Sequence, residues 1–254
     1  MRLRIKVEIP RLPIIYRHRF LSFIKRAVEV ADPDYYMRWF RNRNPRNFSF
    51  AVLLPGRKSS RRETVYLSPD SNQSIEETVF YLKEPLRWII TTHDSVLAGK
   101  LVNGFLRNST HPFNDRITMK ILSIDVEDIP PVKTDSVVLK TLSPILVEDV
   151  NHIPVLPWEP LFQRELNQIM DSLLRSLRGG GLKKPLLFEP IDMRKTVVKH
   201  KLEKFRRGSG KSYMYLTASS GTFRLMGDPE DLGFILKSGM GLRRAQGFGT
   251  LDIA

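Results

Sequence analysis

Two Gly-x-Gly pairs, Gly239-Met240-Gly241 and Gly247-Phe248-Gly249, bracket a five-residue stretch that holds Arg243 and Arg244 side by side. Glycine tolerates positive φ and lets a backbone approach a ligand closely. Exposed N–H groups in such a loop attract anions, and adjacent guanidinium forks bind phosphate. Gly239, Gly241, Gly247, Gly249, Arg243 and Arg244 are therefore expected to hold a polyanion. The loop is not a dinucleotide fingerprint, which follows a strand and opens a helix, and it lacks the Gly-Lys-Ser/Thr ending of a triphosphate loop. A second candidate is the run Arg194–Lys211, with eight Lys/Arg against one Asp/Glu. There Lys195, Lys199, Lys201, Lys204, Arg206 and Arg207 bracket a Gly-Ser-Gly tip, as expected of a basic two-stranded ribbon reading shape and phosphates.

The rest of the composition narrows the chemistry. Five histidines, His18, His93, His111, His152 and His200, are scattered without ligand spacing, so neither a metal site nor a cofactor is expected. Cysteine is absent, which excludes disulfides, thiolate metal sites and cysteine nucleophiles. The net charge is +14 over 254 residues, with a pI of 10.1. That charge is clustered: residues 1–62 carry sixteen Lys/Arg against four Asp/Glu. Clustered positive charge marks a nucleic-acid partner. No apolar run reaches the ~20 residues a membrane span needs. The alternating start Arg2–Ile9 reads as a strand, not a signal peptide. A cytoplasmic protein without membrane contact is the expectation.

The elements that position these residues follow from periodicity. Residues 2–9 read as a strand. Residues 17–31 read as a helix, with Phe20, Ile24, Val28 and Ala31 on one face. Asp32-Pro33-Asp34 breaks it and caps a second short helix through about Phe40. Phe48–Leu54 is a strand and Pro55–Arg62 a mobile basic loop. Strands are expected at 64–67, 78–82 and 88–92. A helix then opens at His93 or Asp94, and a long strand covers 117–129. In the second half, 137–141 is a strand and 158–177 a helix ended by Gly179-Gly180-Gly181. Strands follow at 186–191, 196–205, 213–218 and 221–226. Asp228-Pro229 opens the last helix, and the glycine loop and a final strand close the chain. The fold class is α+β, two tandem ferredoxin-like (RRM-like) βαββαβ units, residues 1–130 and 131–254.

The terminal Gly-x-Gly-(x5)-Gly-Phe-Gly loop resembles the signature of the CRISPR-associated RAMP proteins, and most of all their repeat-processing endoribonucleases. Leu142-Ser143-Pro144-Ile145, Leu101–Leu106 and Tyr16-Arg17-His18 resemble further segments of that family, so the likeness touches both halves. The resemblance implies binding of CRISPR repeat RNA or precursor crRNA in a groove between the units. It also implies metal-independent cleavage, in which a 2′-hydroxyl attacks the adjacent phosphate to leave a cyclic phosphate and a 5′-hydroxyl. Such a reaction needs a base, an acid and cations for the phosphorane.

Many members place a histidine just after the first helix, near a tyrosine and a lysine. Here residues 32–46 contain none, and Trp39 and Phe40 stand near its place. Three readings stay open. In an active nuclease, His18 acts from the helix start, or Lys25, Tyr35, Tyr36, Arg38 and Arg41 position the phosphate and stabilise its charge. Otherwise the chain binds repeat RNA without cutting it, or serves as a structural subunit of a CRISPR interference complex. A monomer and a homodimer both fit.

Overall fold

Leu3, Ile5 and Val7 alternate with Arg2, Arg4 and Lys6, a period of two that makes a strand with one buried face. They form β1 (Arg2–Glu8), with all three apolar side chains buried. The computed structural model describes residues 1–41, 45–66, 74–114, 116–200 and 213–254, and only the backbone of residues 40 and 41. The first half continues through β2 (Arg11–Pro13), α1 (Arg17–Ala31), α2 (Pro33–Arg41), β3 (Phe48–Leu53), β4 (Lys58–Tyr66), β5 (Ser74–Leu82), β6 (Leu86–Thr92), α3 (Ser95–Arg107), β7 (Thr110–Asn114) and β8 (Ile117–Glu127). The second half holds β9 (Ser136–Thr141), α4 (Phe162–Arg178), β10 (Leu187–His200), β11 (Met214–Met226), α5 (Pro229–Ser238) and β12 (Leu251–Ile253).

Both halves close the same way. The first sheet runs β3-β6-β1-β8, extended by β7 at its edge, and the second runs β10-β11-β9-β12. In each, the first strand lies centrally between the third and fourth strands of a βαββαβ unit, and its ladders are antiparallel. This is the tandem ferredoxin-like plan. A separate three-stranded sheet, β2-β5-β4, is inserted in the first half.

Helix α1 buries Phe20, Phe23, Ile24, Ala27 and Val28, the three-and-four spacing of one helical face. Phe20 meets the edge of Trp88 at 4.9 Å, and Phe105 of α3 meets Trp88 at 5.3 Å. Gly104 lets α3 press onto α1, since a Cβ there would lie 1.9 Å from the Ala27 carbonyl oxygen. Asp94 caps α3 by accepting from Leu97 N–H at 3.0 Å. In the second half, Phe162, Leu166, Met170, Leu173 and Leu174 of α4 face the sheet, and α4 ends at Gly179 with φ 80°. A third cluster, Leu146, Val198, Leu216, Ala218 and Phe248, lies under the glycine loop. The halves are tied by Arg2, whose guanidinium pairs with Asp252 at 2.7 Å and donates to Leu251 O at 3.1 Å.

Several expectations change. The expected loop 55–62 is mostly strand, because Lys58–Tyr66 pairs residue for residue with β5. Its Arg/Ser composition suits an exposed, charged edge strand as well as a loop. Of the strand expected at 64–67, residues 64–66 belong to the same β4, and residue 67 lies outside the described residues. The helix expected from Trp158 starts at Phe162, since Pro160 disfavours helix at Glu159 before it. The strands expected at 186–191 and 196–205 merge into β10 as far as His200, with 201–205 outside the described residues, and those at 213–218 and 221–226 merge into β11. The break near Asp192 is only a bulge in that ladder. Among the described residues no helix is long and apolar enough to cross a membrane.

Candidate nucleic-acid interface

The segment from Gly239 to Gly249 links α5 to β12, and its own backbone holds it shut. Met240 N–H donates to Gly249 O at 2.8 Å, Gly249 N–H to Pro144 O at 2.8 Å, and Leu242 N–H to Leu146 O at 2.8 Å. Ser143 Oγ accepts from Thr250 N–H at 3.0 Å, while Leu142 N–H donates to Thr250 O at 2.8 Å. The glycine loop and the Leu142–Ile145 turn are thus two sides of one hydrogen-bonded unit. Gly239, Gly241, Gly247 and Gly249 are buried. A Cβ on Gly249 (φ 67°) would lie 1.8 Å from Met240 O, and one on Gly241 (φ 80°) 2.6 Å from Leu146 O. These glycines serve the loop's internal packing, and most of its N–H groups already have protein acceptors. The expected backbone cradle for an anion is therefore not what the loop presents.

The two arginines also differ. Arg244 is 5 % exposed and donates to Ser238 O and, at 2.8 Å, to Arg46 O. Burial pushes its guanidinium down to about 9. It closes the end of α5 and staples the loop to the α2–β3 connection, so it is not open to a ligand. Arg243, at the left-handed φ of 53°, is half-exposed and, among the described residues, forms no ion pair.

Arg243 lines a cleft of about 910 Å³ between the halves. Arg46 from the first half and Glu148, Glu165, Ile169 and Leu173 from the second line it as well. The Arg46 guanidinium lies 4.8 Å from the Trp39 ring centroid. On the loop's other flank, Arg17 Nε donates to Gly247 O at 3.3 Å, and its guanidinium lies 5.4 Å from the Phe248 ring centroid. His200 packs edge-on to Phe248 at 5.8 Å. Burial, then Arg17 and Arg243, push its imidazole down to about 4, so it is neutral at pH 7.

The sequence candidates fall into separate places. His18 stands in the first turn of α1, 6.2 Å from Phe113 centroid to centroid, and Lys25 follows two turns later on the same face. Tyr35 and Tyr36 open α2 beyond the other end of α1. Fourteen residues of rise put His18 roughly 20 Å from Asp32, so His18 and the α2 tyrosines do not share one phosphate. Tyr35 is fixed by Lys100, whose Nζ lies 5.0 Å from its ring centroid and 2.6 Å from Asp32. Burial and the nearby Asp94 raise its hydroxyl to about 12. Tyr36 is half-buried and its hydroxyl is also raised, first by burial and then by Glu29. Arg38 is exposed. Arg41 is the last residue of α2, and its side chain is outside the described set.

In the basic ribbon, Lys195 is exposed on β10. Lys199 is not: it forms a largely buried ion pair with Glu77 of β5 and lies 3.7 Å from the Tyr213 ring centroid, an anchor between the halves. Lys201, Lys204, Arg206 and Arg207 lie outside the described residues. Arg17, Arg46, Glu148 and Glu165 were not singled out from the sequence, whereas His200, a phosphate-contact candidate by its place in the basic run, is buried. Glu165 had a visible signal, an acid on the apolar face of α4 beside Phe162, Leu166 and Ile169. Arg46 had none, because distant segments create its surroundings.

The family model "CRISPR associated protein Cas6, C-terminal" matches residues 127–253. A solved structure described as a Cas6-related gene from Pyrococcus furiosus is 19% identical with a TM-score of 0.78, covering 100% of this chain and 98% of its own. A RAMP protein binding different RNA substrates is 19% identical with a TM-score of 0.74, covering 100% and 99%. A Cas6 product complex is 13% identical with a TM-score of 0.61, covering 100% and 99%. At these identities the likeness shows the fold. No curated protein matches the chain.

Proposed function

The chain belongs to the Cas6 family of CRISPR-associated proteins, and on that premise we propose that it binds CRISPR repeat RNA and processes precursor crRNA. The observation that carries this is Arg243, a half-exposed cation without an ion-pair partner among the described residues, lining the cleft between the halves of a +14 chain. We take the two units as residues 1–130 and 131–254. RNA phosphates would meet Arg243 at the cleft and Lys195 on β10.

Cleavage would proceed without metal. The 2′-hydroxyl gives its proton to water and attacks the adjacent phosphorus, the bond from phosphorus to the 5′-oxygen breaks, and that oxygen leaves with a proton. Arg38 and Arg41 on α2 would stabilise the phosphorane, because guanidinium stays charged and cannot act as a base at neutral pH. The raised Tyr36 hydroxyl remains protonated, which suits a donor to the leaving oxygen rather than a base. His18 and Lys25 form the alternative centre on α1. One observation favours a second reading, a repeat binder that does not cut: residues 32–46 contain no histidine, and Tyr35 and Tyr36 titrate far above neutrality.

The test is incubation of the protein with labelled cognate repeat RNA in EDTA, resolved on denaturing and native gels. One cut within the repeat, blocked by a deoxy sugar at that position, supports metal-independent processing. Loss of the cut in Tyr36→Phe or Arg38→Ala, but not in His18→Ala, assigns it to α2. A shifted but uncut RNA supports the second reading, and neither shift nor cut overturns both.

A further inference from the structure

The cleft beside the glycine loop is positive at its rim but carries buried carboxylates inside. The Glu148 side chain is 6 % exposed and lines the cleft. Within ion-pair range of it among the described residues stands one ionisable group, the exposed His152, whose Nδ1 is 3.7 Å away, beyond hydrogen-bond range. No hydrogen bond to Glu148 is made within the described residues, although the group is more than nine-tenths buried. Glu165, with a side chain 3 % exposed, has Oε1 held by Arg164 Nε at 2.9 Å and Nη2 at 2.6 Å. Its Oε2 has no such partner among the described residues. The third acid of the cleft, Asp149, instead holds its own turn by accepting from Asn151 N–H at 2.9 Å and Ile153 N–H at 2.8 Å.

A buried carboxylate without donors is costly, and a ligand that brings N–H groups offsets that cost. A simple cation would have to pass Arg243 and Arg46. A nucleotide satisfies both ends: its phosphate suits the arginines and its base edge can supply donors. Ile169 and Leu173 give the base an apolar wall. Single-stranded RNA is read in this way, by splayed bases recognised on their Watson–Crick edges. Guanine alone presents two adjacent donors there, N1–H and N2–H₂, a match for the two oxygens of one carboxylate. Cytosine offers N4–H₂ next to the N3 acceptor, which a carboxylate repels.

Resting on the RNA-binding reading above, we propose that the Glu148–Glu165 cleft is a guanine-reading pocket, in which Glu148 accepts from N1–H and N2–H₂ of one splayed base while Arg243 holds its phosphate. The pocket sets which repeat position must be guanosine.

The test uses the whole protein and ten-nucleotide oligouridines carrying one guanosine moved along the chain, with inosine and adenosine counterparts, read by fluorescence anisotropy at low salt. A bidentate contact predicts one position at which guanosine binds about fivefold to a hundredfold tighter than adenosine. Inosine, which lacks the 2-amino group, falls between them. In Glu148→Gln the guanosine-to-adenosine ratio falls to near one with the melting temperature retained. The wild-type inosine series needs no variant, so the proposal is exposed even where a variant misfolds. Binding without a guanosine preference, a preference for another base, or a preference that survives in folded Glu148→Gln overturns the pocket alone. Failure to bind any oligonucleotide overturns the RNA reading and the pocket with it.

Discussion

Gly249→Ala separates two explanations for the glycine loop, ligand approach and internal packing. A methyl at residue 249 would start 1.8 Å from Met240 O with φ at 67°. Left-handed backbone costs about 1–2 kcal/mol for a residue with a Cβ. Relieving the overlap moves the Met240 backbone and breaks the bond from Met240 N–H to Gly249 O, 2.8 Å long, inside a buried loop. Leaving those groups unpaired costs a further ~1–3 kcal/mol. The total is about 3 kcal/mol or more, which for a domain of this size lowers the melting temperature by roughly 6–12 °C. Calorimetry or circular dichroism measures it directly. Gly56→Ala and Gly180→Ala are the controls, because a Cβ at either meets nothing within 4 Å. Both are expected within about 1 kcal/mol of wild type. If Gly249→Ala melts like wild type yet loses RNA affinity, the packing argument is wrong and the loop backbone touches the ligand.

Arg243→Glu should weaken binding across RNA sequences, with melting unchanged. It should also flatten the dependence of log affinity on log salt by about 0.7 for each phosphate that the arginine no longer neutralises. Unchanged affinity would remove the glycine loop from the interface. Glu77→Gln or Lys199→Met alone should destabilise by about 3–5 kcal/mol, because each leaves one buried charge unpaired, and the double variant should recover much of that loss in a urea titration. Equal, additive losses would show that the pair does not couple the halves. His200 titrates at about 4 in the folded protein against its ordinary 6.5, so the unfolded chain binds more protons between those values. Stability should therefore fall as pH drops from 6.5 to 4, by up to on the order of 3 kcal/mol from this group. His200→Gln should flatten that part of the curve, and an identical pH profile would discount the burial of the imidazole.

Periodicity alone located α1, α3 and the central strands β1 and β9, because each buries one face and shows it in the spacing of its apolar residues. Local capping chemistry marked Gly179 as a helix end, His93 or Asp94 as the start of α3, and Asp228-Pro229 as the start of α5. The βαββαβ order, the positive charge and the glycine loop were equally legible. What periodicity could not show was pairing over distance. Arg- and Ser-rich residues 58–66 read as loop until β5 is beside them, and the polar stretch near Asp192 reads as a break until β11 carries the ladder past it.

The same limit governs the site. Arg243 and Arg244 are adjacent and chemically identical in the sequence. Only the fold puts one on the cleft and buries the other between Ser238 and Arg46. Lys199 is one lysine in a basic run until β5 brings Glu77 against it. His18 and Tyr36 are both candidates for the phosphate's surroundings until the length of α1 holds them apart. Which local elements form is written in the chain itself, because helix and strand preferences depend on near neighbours. Which charges reach solvent is settled by tertiary packing, because burial is set by segments far away along the chain.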